Sequence, residues 1–305
     1  MKTALELAPL LKQVLVTRQA RQGGWSFIDV SGQPALEPTC LALLALHSRQ
    51  GAARERAIQF LLGVQNPNAS WSAFAGDDAE GCGLTGLALY ALLRCGVTCE
   101  QTQRAARWLL KLKGWESHWL WKWKFRTTDR RVRFDPEKYG WPWTPETVSW
   151  VVPTSYSLLA LKHLTAQQQS DLLRLRIRRG VEMLLDRACT NGGWNAGNGV
   201  VYGQPMTPHL DATALALLAL VREPANKLVA ASLEWLHRRS QTCFATWSLS
   251  WAILALHAYG RFPAPLLTRL VEISDPNKIQ DCGTLAVAAL ALDCADGRNV
   301  FQECT

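Results

Sequence analysis

Six short runs rich in Leu and Ala recur along the chain: Leu41–Leu46, Leu87–Leu92, Ser157–Leu161, Leu215–Leu220, Ser250–Leu256 and Leu285–Leu292. Each follows a loop rich in Gly, Trp, Asn or Pro, and each loop follows a more polar stretch. A unit of this size, copied six times, is one supersecondary element that buries its apolar face only by stacking on its neighbours.

The polar stretches are Leu5–Arg18, Ala53–Val64, Glu100–Lys113, Ser170–Arg187, Ala225–Arg239 and Ala264–Ser274. Their apolar residues fall three and four apart. In Glu100–Lys113, Ala105, Trp108, Leu109 and Leu112 share one face. Such a stripe packs on one side and meets water on the other. The Leu/Ala runs are apolar nearly all round and suit helices enclosed on most sides. Six amphipathic helices alternating with six apolar ones predict an all-α fold, a six-hairpin α/α toroid with inner and outer helix barrels. An open superhelix of TPR or HEAT type is the structural rival, but those repeats have a tighter period. A single domain spanning 1–305 is expected.

Thr39, Thr154, Asp211 and Thr246 stand before apolar runs and are expected as N-caps. Every inner helix would then start at the same rim, where gathered N-termini favour anions or chemistry. The longest gap, 115–138, is an insertion. Trp119, Trp121, Trp123 and Phe125 alternate there with Leu120, Lys122, Lys124 and Arg126, a period of two that predicts a small inserted β-hairpin with an aromatic and a cationic face.

Nine Lys/Arg against four Asp/Glu lie between Lys111 and Lys138, within a net charge of +8. That segment is expected to be a solvated face or to make peripheral contact with anionic lipid. Nucleic acid is not expected, because nothing extends the basic residues into a groove. The nine cysteines form no CxxC pair and are read as reduced core thiols of a cytoplasmic protein. Pro9 and Lys12 interrupt Ala4–Val16, which argues against a signal peptide.

Gln22-Gly23-Gly24-Trp25 and Asn191-Gly192-Gly193-Trp194 resemble the QW-type joints of squalene–hopene cyclase-like terpene cyclases, with Gln65…Ser70-Trp71 a looser copy. Gly140-Trp141-Pro142-Trp143-Thr144 and Ser149-Trp150-Val151-Val152-Pro153-Thr154 resemble the GWPW…SWVEPT stretch of prenyltransferase/squalene-oxidase-repeat proteins. Val152 stands where that pattern has Glu, whereas Glu37-Pro38-Thr39 keeps the acidic form. The resemblance implies an α/α barrel around an apolar cavity that takes an isoprenoid, with no cofactor.

In class II cyclases an Asp at the start of an inner helix protonates an alkene. By that resemblance Asp211 of His209-Leu210-Asp211-Ala212 is the candidate acid and His209 its partner, while Ala212 departs from the DxDD pattern. The plain reading of Asp211 is a helix cap. Trp121, Trp141, Trp150 and Tyr156 are candidates to stabilise cations through ring faces, and Asp77 and Asp78 to donate a proton or approach a diphosphate. Prenyltransferase β-subunits bind zinc at this rim, and Cys82, His209, Asp281 and Cys282 lie at helix starts here. Because Asp281 and Cys282 are adjacent, no metal is expected. The alternative to an isoprenoid enzyme is a non-catalytic toroid that binds a protein or a membrane surface.

Overall fold

A computed structural model describes residues 2–28, 32–48, 51–127, 134–165, 170–261 and 263–302, with the side chains of 125–127 outside the description. The apolar runs form the inner helices α2 (Leu36–Ala45), α4 (Thr85–Arg94), α7 (Val151–Thr165), α9 (Leu210–Leu220), α11 (Thr246–Ala258) and α13 (Cys282–Asp293). The amphipathic stretches form the outer helices α1 (Ala4–Thr17), α3 (Ala52–Gly63), α5 (Glu100–Lys111), α8 (Asp171–Arg187), α10 (Lys227–Ser240) and α12 (Ala264–Ile273). Each inner helix packs against the next, and α13 packs against both α1 and α2, so the ring closes. The inner helices are buried along nearly their whole length, whereas α5 buries only Thr102, Ala105 and Leu109.

Four of the joints repeat one device. The indole N–H of a fully buried Trp donates to a carbonyl near the end of the preceding outer helix. The pairs are Trp25 to Leu15 (2.7 Å), Trp71 to Leu61 (2.7 Å), Trp141 to Leu109 (2.8 Å) and Trp194 to Leu184 (2.6 Å). The backbone N–H of the same Trp donates to a buried Thr hydroxyl on the next inner helix: Thr39 (2.8 Å), Thr85 (3.0 Å), Thr154 (3.0 Å) and Thr213 (2.9 Å). One Trp–Thr clasp thus supplies partners to an outer-helix end and to the loop itself, groups that burial would otherwise orphan.

This use corrects the capping expectation. Thr39 and Thr154 lie inside α2 and α7, and the N-cap of α2 is Ala35, without a side-chain bond. Thr246 opens α11 after an Ala245 cap, and Asp211 lies inside α9 after a His209 cap. A buried hydroxyl that serves two loop groups outweighs the single N–H a cap would satisfy. Side-chain caps occur instead at Thr3, Asn226 and Asp281.

The glycines of the joints are needed for approach. Gly23 has φ +101°, and a Cβ there would lie 2.5 Å from the Arg56 carbonyl oxygen of α3. Gly192, with φ +87°, would meet Ala231 of α10 at 3.0 Å. Only glycine combines that backbone conformation with so close a neighbour.

The insertion differs from its expectation. A 3₁₀ turn (Trp115–Ser117) leads into α6 (Trp119–Thr127), a helix where alternation suggested a strand, while 128–133 of the expected hairpin fall outside the described residues. On this helix Leu120, Lys122 and Lys124 do not line one face of a strand. Lys122 turns back to Glu137 (2.7 Å), and the Lys124 ammonium covers the Trp121 ring at 4.4 Å. The small two-stranded element is elsewhere: β1 (Val200–Val201) pairs antiparallel with β2 (Gln204–Pro205). Fully buried Glu116 anchors the insertion, accepting from Ser149 N (3.1 Å) and facing Arg187 at 3.7 Å. No described helix is long and apolar enough to cross a membrane.

Candidate functional site

Three acidic side chains come to one rim from the starts of three inner helices. Glu37 is the second residue of α2, Asp211 the second of α9, and Asp281 caps α13. Tyr156 of α7 completes the group, with its hydroxyl donating to Glu37 Oε1 at 3.5 Å. Since α4 separates α2 from α7 in the ring, this contact crosses the lumen.

Glu37 carries the main electrostatic signature. Burial, then the charge of Asp281, and more weakly that of Asp211, push its carboxyl up to about 7, against a smaller opposing effect of the Tyr156 hydrogen bond. Near neutral pH it is therefore a proton donor as well as an acceptor. Burial, reinforced by the Glu37 charge, lifts Tyr156 well above the ordinary phenol range, so its hydroxyl stays protonated.

Aromatic rings continue from this rim through the barrel. At Gly283 a Cβ would stand 3.3 Å from Asp281 Oδ1, 3.6 Å from the Trp247 ring and 3.7 Å from Leu41, so the glycine leaves room beside the acid. Trp247 meets Trp251 edge-on with centroids 5.8 Å apart, and Trp251 meets Phe301 at 5.4 Å. Phe301 stacks on Tyr90 of α4 at 5.6 Å, and the Tyr90 hydroxyl donates to the Val300 carbonyl at 2.8 Å. The 299–302 segment therefore closes the far end of the lumen. Trp251 is fully buried, and its indole N–H has no hydrogen-bond partner among the described residues. A buried indole donor without an acceptor costs free energy that a ligand or water acceptor would recover.

The residues singled out from sequence separate into two groups. Asp211 and Tyr156 reach the acid centre. His209 is exposed and makes no hydrogen bond or ion pair with Asp211, whose Oδ1 accepts from Ala212 N at 2.9 Å. Trp141 lies between layers, with the Arg176 guanidinium 4.1 Å over its ring. Trp121 packs on Trp115 at 5.3 Å in the insertion. Trp150 is half-buried and lies near Gly197, where a Cβ would be 3.4 Å from its ring. Asp77 and Asp78 are exposed, and Asp78 shapes its loop by accepting from Gly81 N at 2.6 Å. Sequence reasoning passed over Glu37, Trp247 and Trp251. The signal for Glu37 was its EPT motif, and for the tryptophans their four-residue spacing on one helix.

Among the described residues no group of three His, Cys, Asp or Glu could hold a metal ion. The eight described cysteines are free, and burial pushes the Cys82 thiol up to about 11, away from thiolate chemistry.

No protein-family model matches the chain, and no curated protein matches its sequence. Solved structures match its fold. A protein from Actinoplanes superposes with a TM-score of 0.66 at 16% identity, covering 96% of this chain and 99% of that one. The type II terpene cyclase MstE from Scytonema, in complex with its substrate geranylgeranyl dihydroxybenzoate, gives 0.64 at 13% identity, covering 95% and 96%. A novel alpha-amylase from Clostridium perfringens gives 0.63 at 11% identity, covering 92% and 96%. The fold is thus a terpene cyclase-like toroid, shared with proteins of unlike chemistry.

Proposed function

We propose that this toroid binds an isoprenoid or similar apolar chain in its lumen and initiates cyclisation by protonating an alkene. The observation that carries the reading is Glu37, a carboxyl that keeps its proton near neutral pH, facing Asp211, Asp281 and Tyr156 at the mouth of an aromatic barrel. In the reaction the Glu37 O–H bond breaks and the alkene π pair forms the new C–H bond. The Glu37 carboxylate and a carbocation remain.

The charges of Asp211 and Asp281 weaken Glu37 as an acid, but they stabilise the cation that forms beside them. Trp247 and Trp251 offer ring faces along the cation's path. Asp211 has a supporting electrostatic role here and remains the alternative donor, with His209 as its exposed neighbour. Exposed Trp119 and Trp123 on α6, beside Lys122 and Lys124, support collection of the insoluble substrate from a membrane surface.

A carboxyl with a raised pKa among other carboxylates also serves glycoside hydrolysis, and an amylase shares the fold. Leu41, Trp247 and Trp251 beside the acids favour an apolar chain over a sugar, which would need many polar partners. The test is incubation with squalene, geranylgeranyl substrates and maltooligosaccharides, followed by mass spectrometry. Expected is a polyprenyl product of unchanged mass and new retention, lost at least 100-fold in Glu37→Gln and reduced in Asp211→Asn. Melting curves check that both variants fold. Sugar release alone overturns the reading in favour of a glycosidase. Absence of turnover, with partner binding unchanged by Glu37→Gln, overturns it in favour of an interaction module.

A further inference from the structure

A cavity lies at the opposite end of the barrel from the acid centre. It holds about 430 Å³ between the C-terminal ends of α7 and α9, the first half of α8, and the 301–302 segment. Leu159, Ile177, Leu218 and Phe301 give it an apolar floor, while Lys162, Arg174, Arg178 and Arg222 bring four fixed cations to its walls against two carboxylates, Glu182 and Glu223. Both carboxylates already have cationic partners, Glu223 pairing with Lys162 and Glu182 with Arg179 at 2.9 Å, while Arg174 holds the exposed Asp171 at 2.9 Å, a solvent-facing pair that an anionic head can displace. Arg178 makes no hydrogen bond or ion pair among the described residues. Burial, then the charge of Arg94, holds His163 below the ordinary imidazole value, so the positive charge of the cavity comes from its Lys and Arg side chains and not from His163.

An apolar pocket with surplus positive charge at its edge matches one chemical class. We infer that this cavity binds a single-chain amphiphile with an anionic head, the chain lying on Leu159, Ile177, Leu218 and Phe301 and the head meeting Arg174 and Arg178. Pockets of a few hundred Å³ accept molecules of this size. Two sources present that chemistry, alkyl phosphates and long-chain carboxylates. The site is separate from Glu37, so it stands or falls independently of the cyclisation reading. Phe301 is common to the two spaces, forming a wall of this cavity and closing the lumen from Trp251. A ligand here therefore rests against the segment that seals the lumen.

The experiment is calorimetric titration of the intact chain, below micelle-forming concentrations, with dodecyl phosphate, laurate and uncharged dodecanol. At least one anion is expected to bind at least tenfold tighter than the alcohol, and the stronger of the two identifies the head group. Shortening that anion to ten carbons should weaken binding about fifteenfold if both lost methylenes were buried. Arg174→Gln/Arg178→Gln, two changes at exposed positions, should remove the advantage over the alcohol while leaving alcohol binding intact. Hydrogen exchange at 299–302 should slow when the anion is bound. Equal affinity for anion and alcohol, no binding of any probe, or an anion preference that survives the double variant overturns the assignment.

Discussion

A carboxyl buried beside two others titrates late, and at Glu37 the consequence can be measured. Its folded value of about 7 lies above the ordinary 4.5. Between those two values the folded state holds a proton that the unfolded chain has released. Stability therefore falls as pH rises from about 4.5 to about 7, and the loss is complete above that window. The size is on the order of 3 kcal/mol. Glu37→Gln cannot charge, so the variant should gain on the parent by that amount between pH 5 and pH 8. Urea midpoints at several pH values give the difference directly. A constant gap between parent and variant would mean that Glu37 is ordinarily solvated, and the proton-donor role would fail with it. Tyr156→Phe removes the hydrogen bond that favours the charged carboxylate, so it should extend the loss to higher pH and deepen it.

At the scale of the element, the Trp–Thr clasp makes the joints stiff. Thr85→Val keeps the shape but removes the hydroxyl that accepts from Trp71 N and donates to Trp71 O. Both groups are buried, so the expected cost is about 1–3 kcal/mol per group left unpaired. Thr154→Val and Thr213→Val should behave alike, because the same contacts recur there, while Thr246→Val, with no clasp, should cost little. Denaturant titration of the four variants tests the pattern. Much of this element was legible in the sequence: the twelve helices follow from periodicity, and the Gly-Gly-Trp joints mark where chains turn. The clasp itself was not, because a Thr before an apolar run has the same local pattern whether it caps the helix or lies one turn inside it. Only the facing Trp decides. The insertion misled for a related reason. Trp, Leu, Lys and Trp in alternation fit a strand by period, yet Lys122 pairs with Glu137, outside the alternating run, and Lys124 covers Trp121, a three-residue spacing that a helix brings together. The acid centre was half legible. Asp211 could be singled out by motif and Tyr156 only as an aromatic ring, whereas Glu37 keeps its proton only through the burial and the like charges that ring closure brings near it.

For the whole molecule the decisive contact is the one that joins first hairpin to last. Lys12 on α1 and Asp293 at the end of α13 are 4% and 6% exposed, and their Nζ and Oδ2 atoms lie 2.5 Å apart across 281 positions of sequence. The lumen exists only if α1, α2 and α13 meet, so this pair belongs to the seam on which the cavity depends. A buried ion pair has a particular thermodynamic signature: removing one partner leaves a charge without compensation and costs about 3–5 kcal/mol, while replacing both with apolar groups of similar size is near neutral. Lys12→Met and Asp293→Leu are therefore each expected to be strongly destabilising. The double variant should be more stable than either single variant, a non-additivity of several kcal/mol that a double-mutant cycle measures. Asp293→Leu also strips Arg298 of a partner at 3.4 Å, but Arg298 is half exposed and water replaces that contact at small cost. If the two single effects simply add, the charges act independently, and the seam is held by the packing of α13 against α1 and α2 alone. If they cancel as expected, the apolar double variant should retain the closed ring, because closure requires two satisfied surfaces and not the charges themselves.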